Sequence, residues 1–299
     1  VRYVVVSEGR RQDLLRLWSE AEGRGARGEG ELSSSRPSSL APHPSPLVVP
    51  AGVSVRDKLR LKPATVELLR QLRLDEGWPF MLLPARITKR KNIEYAIGVT
   101  RALRDLGLEP RLLVTGPPGP HNPRSVDYVD ELQAERARLD VRHEVTFLYE
   151  ERRPNGRLWT ATDPMMDDLY QLADLLIFPS AQEGFGIPLL EAGLVRLPVF
   201  CSDIPPFREI AGDRVHRFAL DAPHAETAAR IARFLETDPV TRLRHEVIRR
   251  YSWEGIFREK IAPLLTADAR VVTEAQRPST IPSDRPPDSR LSDAAGQRQ

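Results

Sequence analysis

The sequence predicts an α/β protein built on a doubly wound parallel sheet. From about Pro79, short apolar runs alternate with amphipathic stretches. Each short run is apolar throughout rather than at every second position, as strands covered on both faces require. The spacing fits right-handed βαβ units, and no internal repeat of solenoid period competes with that reading.

The elements follow in order. Tyr3–Val6 is a strand, and Arg11–Glu22 a helix with Leu14, Leu15, Leu17 and Trp18 as its apolar side. Leu47-Val48-Val49-Pro50 is a short strand ending at a Gly52 turn. Strands are then expected at Phe80–Leu83, Arg111–Thr115, Val145–Leu148, Leu175–Phe178 and Pro198–Cys201. Helices are expected at Asn92–Leu106, Val126–Leu139, Met166–Ala173 and Pro188–Leu194. Ile93, Ala96, Ile97, Thr100 and Leu103 fall on one face of the first of these, the 3.6-residue signature of a helix laid on a core. Helices near Ala225–Leu235, Thr241–Arg250 and Trp253–Leu265 close the chain.

Composition bounds the functions. The 299 residues are 40% hydrophobic with a formal net charge of +2, so there is no strong field, and nucleic acid is not the expected partner. The single Cys201 excludes an internal disulfide and fits a reducing, cytoplasmic compartment. No apolar run approaches the roughly 20 residues that span a bilayer, which leaves peripheral membrane contact open. Residues 23–46 and 270–299 are rich in Gly, Ser, Pro and Arg and read as a disordered insert and a disordered tail. The start has no signal-peptide pattern and no initiator Met, which suggests a piece of something longer.

Ligands of open α/β sheets bind at the carboxyl ends of the strands. The first such loop, Pro84 to Asn92, holds Arg86, Lys89, Arg90 and Lys91 before a helix. Cations at a positive helix terminus repel it. Arg86 and Lys91 are therefore candidates to grip phosphate, against the alternative of a solvated basic turn. The loop Thr115 to Asn122 contains His121, a candidate contact that is more simply an exposed residue. In the loop Tyr149 to Pro164 and just beyond it, Asp163, Asp167 and Asp168 read as helix N-terminal charges rather than metal ligands. No Asp-x-Asp pair and no zinc spacing occurs, so no metal is expected.

The most informative segment is Glu183-Gly184-Phe185-Gly186-Ile187-Pro188-Leu189-Leu190-Glu191. Gly184 and Gly186 open the backbone to a ligand, and Pro188 suits a first helical turn. Glu191 lies one turn into the helix. A carboxylate is poorly placed beside phosphate but suits a sugar diol. The two loops together offer donors for phosphate and acceptors for hydroxyls, the two needs of a nucleotide sugar. The alternative is a loop–helix junction whose glycines serve only the turn. No dinucleotide-binding glycine pattern, Walker motif or nucleophile elbow is present.

These residues resemble the retaining GT-B glycosyltransferases of family four. The nonapeptide is similar to that family's E-x7-E motif, and Arg86 with Lys91 resembles its phosphate clamp. Leu169 to Ser180 and Pro198 to Glu209 are similar to the stretches flanking the motif. The resemblance covers about residues 47–265 and implies the Rossmann-like C-terminal domain of a GT-B fold, with residues 47–250 as the nucleotide-sugar-binding unit. Residues 1–22 resemble the end of the N-terminal acceptor domain, and residues 251–269 the closing C-terminal helix. The chain departs from the pattern at Phe147-Leu148-Tyr149, where many relatives have a Gly. The implied activity is transfer of a hexose from a nucleoside-diphosphate sugar to an unknown acceptor with retention, with the sugar nucleotide as donor and no cofactor. Arg86, Lys91 and Glu183 would be catalytic. Gly184, Phe185, Gly186, Ile187 and Glu191 would bind donor. Two alternatives share these residues: a non-catalytic module that needs a partner domain, and a sugar-nucleotide epimerase of the same fold.

Overall fold

The computed structural model describes residues 3–25, 45–119 and 123–265. His121 and most of the two segments expected to be disordered lie outside these residues.

Two short strands, β1 (Val4–Val5) and β2 (Leu47–Val48), pair in parallel beside α1 (Glu8–Gly25). Leu14, Leu15 and Trp18 are half-buried, with Tyr3 set edge-on to Trp18. Leu17, expected on the same side, faces solvent. Two helices that the sequence analysis did not assign follow, α2 (Val55–Leu59) and α3 (Pro63–Leu72).

The main sheet then builds up. β3 (Phe80–Leu83), α4 (Ile93–Asp105), β4 (Arg111–Val114), α5 (Pro123–Arg138) and β5 (Val145–Phe147) form its first half. α6 (Asp163–Leu172), β6 (Leu175–Phe178), α7 (Ile187–Leu194), β7 (Val199–Ser202), α8 (Pro205–Ala211) and β8 (His216–Phe218) form the second. Helices α9 (His224–Thr237), α10 (Pro239–Arg250) and α11 (Trp253–Ile256) follow, α11 running on into a wider turn over Phe257–Ile261.

The six strands lie in the order β5-β4-β3-β6-β7-β8, all parallel. This is the doubly wound arrangement that the alternation predicts. Strands β3, β6 and β7 are buried at every position, so alternation of polar residues would leave unpaired groups in the core. α8 and β8 escaped the sequence reading because neither has an apolar run; β8 reads His-Arg-Phe and lies at the sheet edge.

The helices are fitted by small and polar residues as well as by apolar ones. Ile93, Ala96, Ile97, Thr100 and Leu103 of α4 are all fully buried. Tyr95 stacks on Phe218 and shares a hydrogen bond with Thr227 of α9 (2.8 Å). A side chain at Gly98 would run into His224, so the α4–α9 approach depends on its absence. Asp168 of α6 is buried and accepts from the Lys62 amide (2.7 Å) and the Thr65 hydroxyl (2.6 Å). It therefore caps α3, correcting its expected role as an N-terminal charge of its own helix. The closing segment is tied to residues 52–53: the Val53 amide donates to Tyr251, the Trp253 amide donates to Val53, and Gly52 leaves room for the Trp253 ring.

Asp174, just before β6, accepts from the Phe80 amide (2.8 Å) with Arg244 at 4.0 Å. Burial outweighs both contacts and pushes its carboxyl up to about 6, above an ordinary value of 3.8. A raised acid is favoured protonated in the folded state. Its contribution to stability is therefore full below pH about 4 and lost as pH rises through about 6, on the order of 3 kcal/mol. Chemical denaturation of the wild type and of Asp174→Asn across pH 4 to 7 should show the wild type losing stability relative to the variant as pH rises.

Candidate donor site at the strand-order reversal

The chain winds outward through β3, β4 and β5, returns to the sheet centre and winds the other way through β6, β7 and β8. The order reverses between β3 and β6, and loops leaving such neighbours diverge to open a crevice. The loop after β3 carries Arg86 to Lys91; the loop after β6 carries Glu183 to Gly186. They are joined directly, for the Ala181 amide donates to the Arg90 carbonyl (2.8 Å).

A cleft of about 690 Å³ lies at this edge, with Arg86 and Glu191 both in its lining. Arg86 is held by its neighbours: Ala85 and Ile87 are buried, and the Ile87 amide donates to Pro117 of the next loop (3.1 Å). Gly116 allows that approach, since a Cβ there would sit 2.2 Å from the Ala85 carbonyl oxygen. The Arg86 side chain is exposed and has no ion-pair or hydrogen-bond partner among the described residues.

The other cations of the loop are compensated. Lys89 pairs with Glu94 (3.1 Å) and Glu131 (2.8 Å). Lys91 is hydrogen-bonded to Glu183, with 11% and 9% of their side-chain surfaces exposed, and sits over the Phe178 ring at 4.9 Å. Arg90 approaches the other Glu183 oxygen at 3.6 Å. Carboxylates thus answer three of the loop's four cations, Lys91 among them, and Arg86 has none among the described residues.

Glu183 is consequently enclosed by cations, while Glu191 reaches the cleft and accepts from the Tyr170 hydroxyl (2.5 Å). The two glycines differ. Gly186 has φ of 109°, and a Cβ on it would meet the Phe207 ring at 2.9 Å. Gly184 has neither a left-handed φ nor any atom within 4 Å of an added Cβ. The turn itself therefore does not require a glycine at 184, while it does at 186. Phe185 and Ile187 are exposed, and neither they nor Gly184 and Gly186 line the cleft. The structure thus gathers Arg86 and Glu191 in the cleft and Lys91 with Glu183 in a neighbouring ion pair.

The far wall of the cleft holds Asp163 and Asp167, read from sequence only as helix N-terminal charges, together with Tyr149, Trp159, Thr160 and Tyr170, which the sequence analysis missed. The segment after β5 folds back on itself around Asn155 and Gly156. The Arg153 amide donates to the Arg157 carbonyl (2.8 Å), Gly156 has φ of 80°, and Arg152 forms a β-bridge with Leu158. Asn-Gly is a strong hairpin signal and could have revealed this turn. The turn returns Trp159 to the sheet, where it is buried, donates to Gln71 (3.1 Å) and lies beneath the Arg153 guanidinium. Tyr149 is half-buried, and burial pushes its phenol up to about 12. Among the described residues, no group of three or more His, Cys, Asp or Glu side chains is placed to hold a metal ion, and no helix is long and apolar enough to cross a membrane.

A Rossmann-like parallel sheet with its cleft at the strand-order reversal is the architecture expected of a GT-B C-terminal domain. The chain belongs to the glycosyl transferases group 1 family, whose model matches residues 66–251. It is 44% identical over 66 residues to a serotype-specific mannosyltransferase of Escherichia coli, a match covering 22% of this chain and 8% of that protein. It is 26% identical over 202 residues to an uncharacterized glycosyltransferase of Methanocaldococcus jannaschii, covering 66% of this chain and 47% of that one. The chain therefore matches less than half the length of either relative. Among solved structures, the Anabaena HepE protein in complex with UDP and glucose is 19% identical, with a TM-score of 0.46 over 77% of this chain and 57% of that one.

Substitution should separate the two glycines. Gly186→Ala should lower stability by about 1–3 kcal/mol, since it adds both left-handed strain and a clash. Gly184→Ala should change it by less than about 0.5 kcal/mol. Thermal denaturation of the two variants beside the wild type is the check.

Proposed function

We propose that this chain is the donor-binding part of a glycosyltransferase that moves a hexose from a nucleoside-diphosphate sugar to an acceptor with retention of configuration. The observation that carries the reading is Arg86: an exposed cation without a partner among the described residues, in the same cleft as the Glu191 carboxylate. A diphosphate needs the first and a ribose diol the second.

The chemical problem is the leaving group. The bond from the anomeric carbon to the diphosphate oxygen breaks, and its electron pair leaves with the phosphate. The acceptor oxygen bonds to the same carbon, and its proton departs with the diphosphate. Arg86, Lys91 and the amides near Gly184 and Gly186 would stabilise the developing charge. Such preorganised donors are usually the largest catalytic term, each worth about 3–4 kcal/mol. Glu183 would face the hydroxyls of the moving sugar and Glu191 the ribose. The Lys91–Glu183 pair supports this division, since it holds a cation and a hydroxyl acceptor side by side, where phosphate and sugar adjoin in the donor. Phe185 and Ile187 would flank the donor from the exposed side of the loop. The chemistry asks for no metal or cofactor, since side-chain cations meet the same charge.

Arg86 is the cleanest probe. Removing it orphans no group among the described residues, whereas Lys91→Ala strips Glu183 of its closest cation. Calorimetry with UDP, GDP and ADP and their parent nucleosides should show Arg86→Ala weakening diphosphate binding by about tenfold to a hundredfold, as expected for lost charge-assisted hydrogen bonds. Nucleoside binding and melting temperature should stay unchanged. Equal diphosphate affinity in wild type and variant would remove the phosphate role of Arg86.

A further inference from the structure

Tyr170 belongs to the far wall of the cleft. It lies on α6, 5% exposed, and its hydroxyl donates to Glu191 Oε2 across the gap to α7 at 2.5 Å. The other carboxylate oxygen, Oε1, accepts from no described residue. Both side chains line the cleft that holds Arg86.

Glu191 stands on an exposed helix face, where a glutamate ordinarily samples many rotamers. A ligand that recruits such a side chain must freeze it, and the lost rotamer freedom weakens binding. A donor fixed in the core removes that loss beforehand. Tyr170 is such a donor, because its side chain is itself buried, with 5% of the residue exposed. Burial first, then the Glu191 hydrogen bond and charge, hold its phenol well above the ordinary value. It therefore keeps its proton at neutral pH and can donate, and an O–H to carboxylate bond of this length is charge-assisted.

We propose that Tyr170 is a positioning residue: it locks the Glu191 carboxylate with one oxygen bound and the other presented to the ribose hydroxyls of the donor nucleotide. The inference rests on the reading of Glu191 as the ribose acceptor. Tyr170 touches no substrate in this scheme and acts only through Glu191.

The test compares UDP, GDP and ADP with their 2′,3′-dideoxy counterparts, by calorimetry, on wild type, Tyr170→Phe, Glu191→Ala and the double variant. The wild type should prefer the ribose form of whichever nucleotide binds best. Tyr170→Phe should weaken binding of that form by about five- to tenfold and leave the dideoxy form unchanged. In the Glu191→Ala background the same substitution should have no further effect, as coupling through one contact requires. Retention of the full ribose preference in Tyr170→Phe overturns the proposal. So does an equal loss for both forms, which would mark a purely structural residue. A wild type that binds diphosphates without any ribose preference instead overturns the reading of Glu191 beneath it, and a chain that binds none of them overturns the donor site as a whole.

Discussion

The reversal of strand order between β3 and β6 is the constraint on which the rest of the structure depends. Each of these central strands is buried throughout, so both must be covered, and the two halves of the sheet wind in opposite directions from them. Loops leave their carboxyl ends at that point, and among the described strands the direction of winding changes there alone. Arg86 and Lys91 stand on one loop; Glu183 and Glu191 border the other. Sites 92 residues apart in sequence, Lys91 and Glu183, become an ion pair because of topology alone.

Charge compensation follows from that geometry. A loop with four cations beside a helix start would be unfavourable by itself. Here Lys89 is answered by α4 and α5, and Arg90 and Lys91 by Glu183. The pairing of Lys91 with Glu183 is largely buried, so neither partner can be removed without leaving a charge short of compensation. Arg86 differs. Its backbone is clamped by buried neighbours and by the Gly116 approach, yet its guanidinium has no partner among the described residues. A rigid backbone beneath a free cation is what a site that waits for an anion requires, and on the proposed reading that anion is the donor's diphosphate.

Much of this was legible in the sequence, for physical reasons that differ by element. The buried strands were legible because an uninterrupted apolar run has few other uses at that length. The Glu183–Glu191 segment was legible because its glycines, proline and carboxylates restrict both backbone and chemistry. β8 was not, since an edge strand of His, Arg and Phe leaves no apolar pattern. α3 was passed over although Leu68 and Thr65 are fully buried, because its cap comes from Asp168, a hundred and three residues beyond Thr65. The aromatic residues of the far wall of the cleft were missed for a similar reason. Trp159 and Tyr170 acquire their places through a hairpin turn and a contact between two helices, and local periodicity carries neither. The different backbone demands at Gly184 and Gly186 were not legible, because only the folded backbone separates a left-handed φ from an ordinary one.

The central claim is that diphosphate and sugar meet at the β3–β6 reversal. A crystal structure of the chain with a bound nucleoside-diphosphate sugar tests it most directly. The account predicts phosphate oxygens within hydrogen-bonding distance of Arg86 and Lys91, with the ribose against Glu191 and the hexose against Glu183. A donor seated elsewhere, or a diphosphate at this edge that leaves Arg86 in solvent, would contradict it.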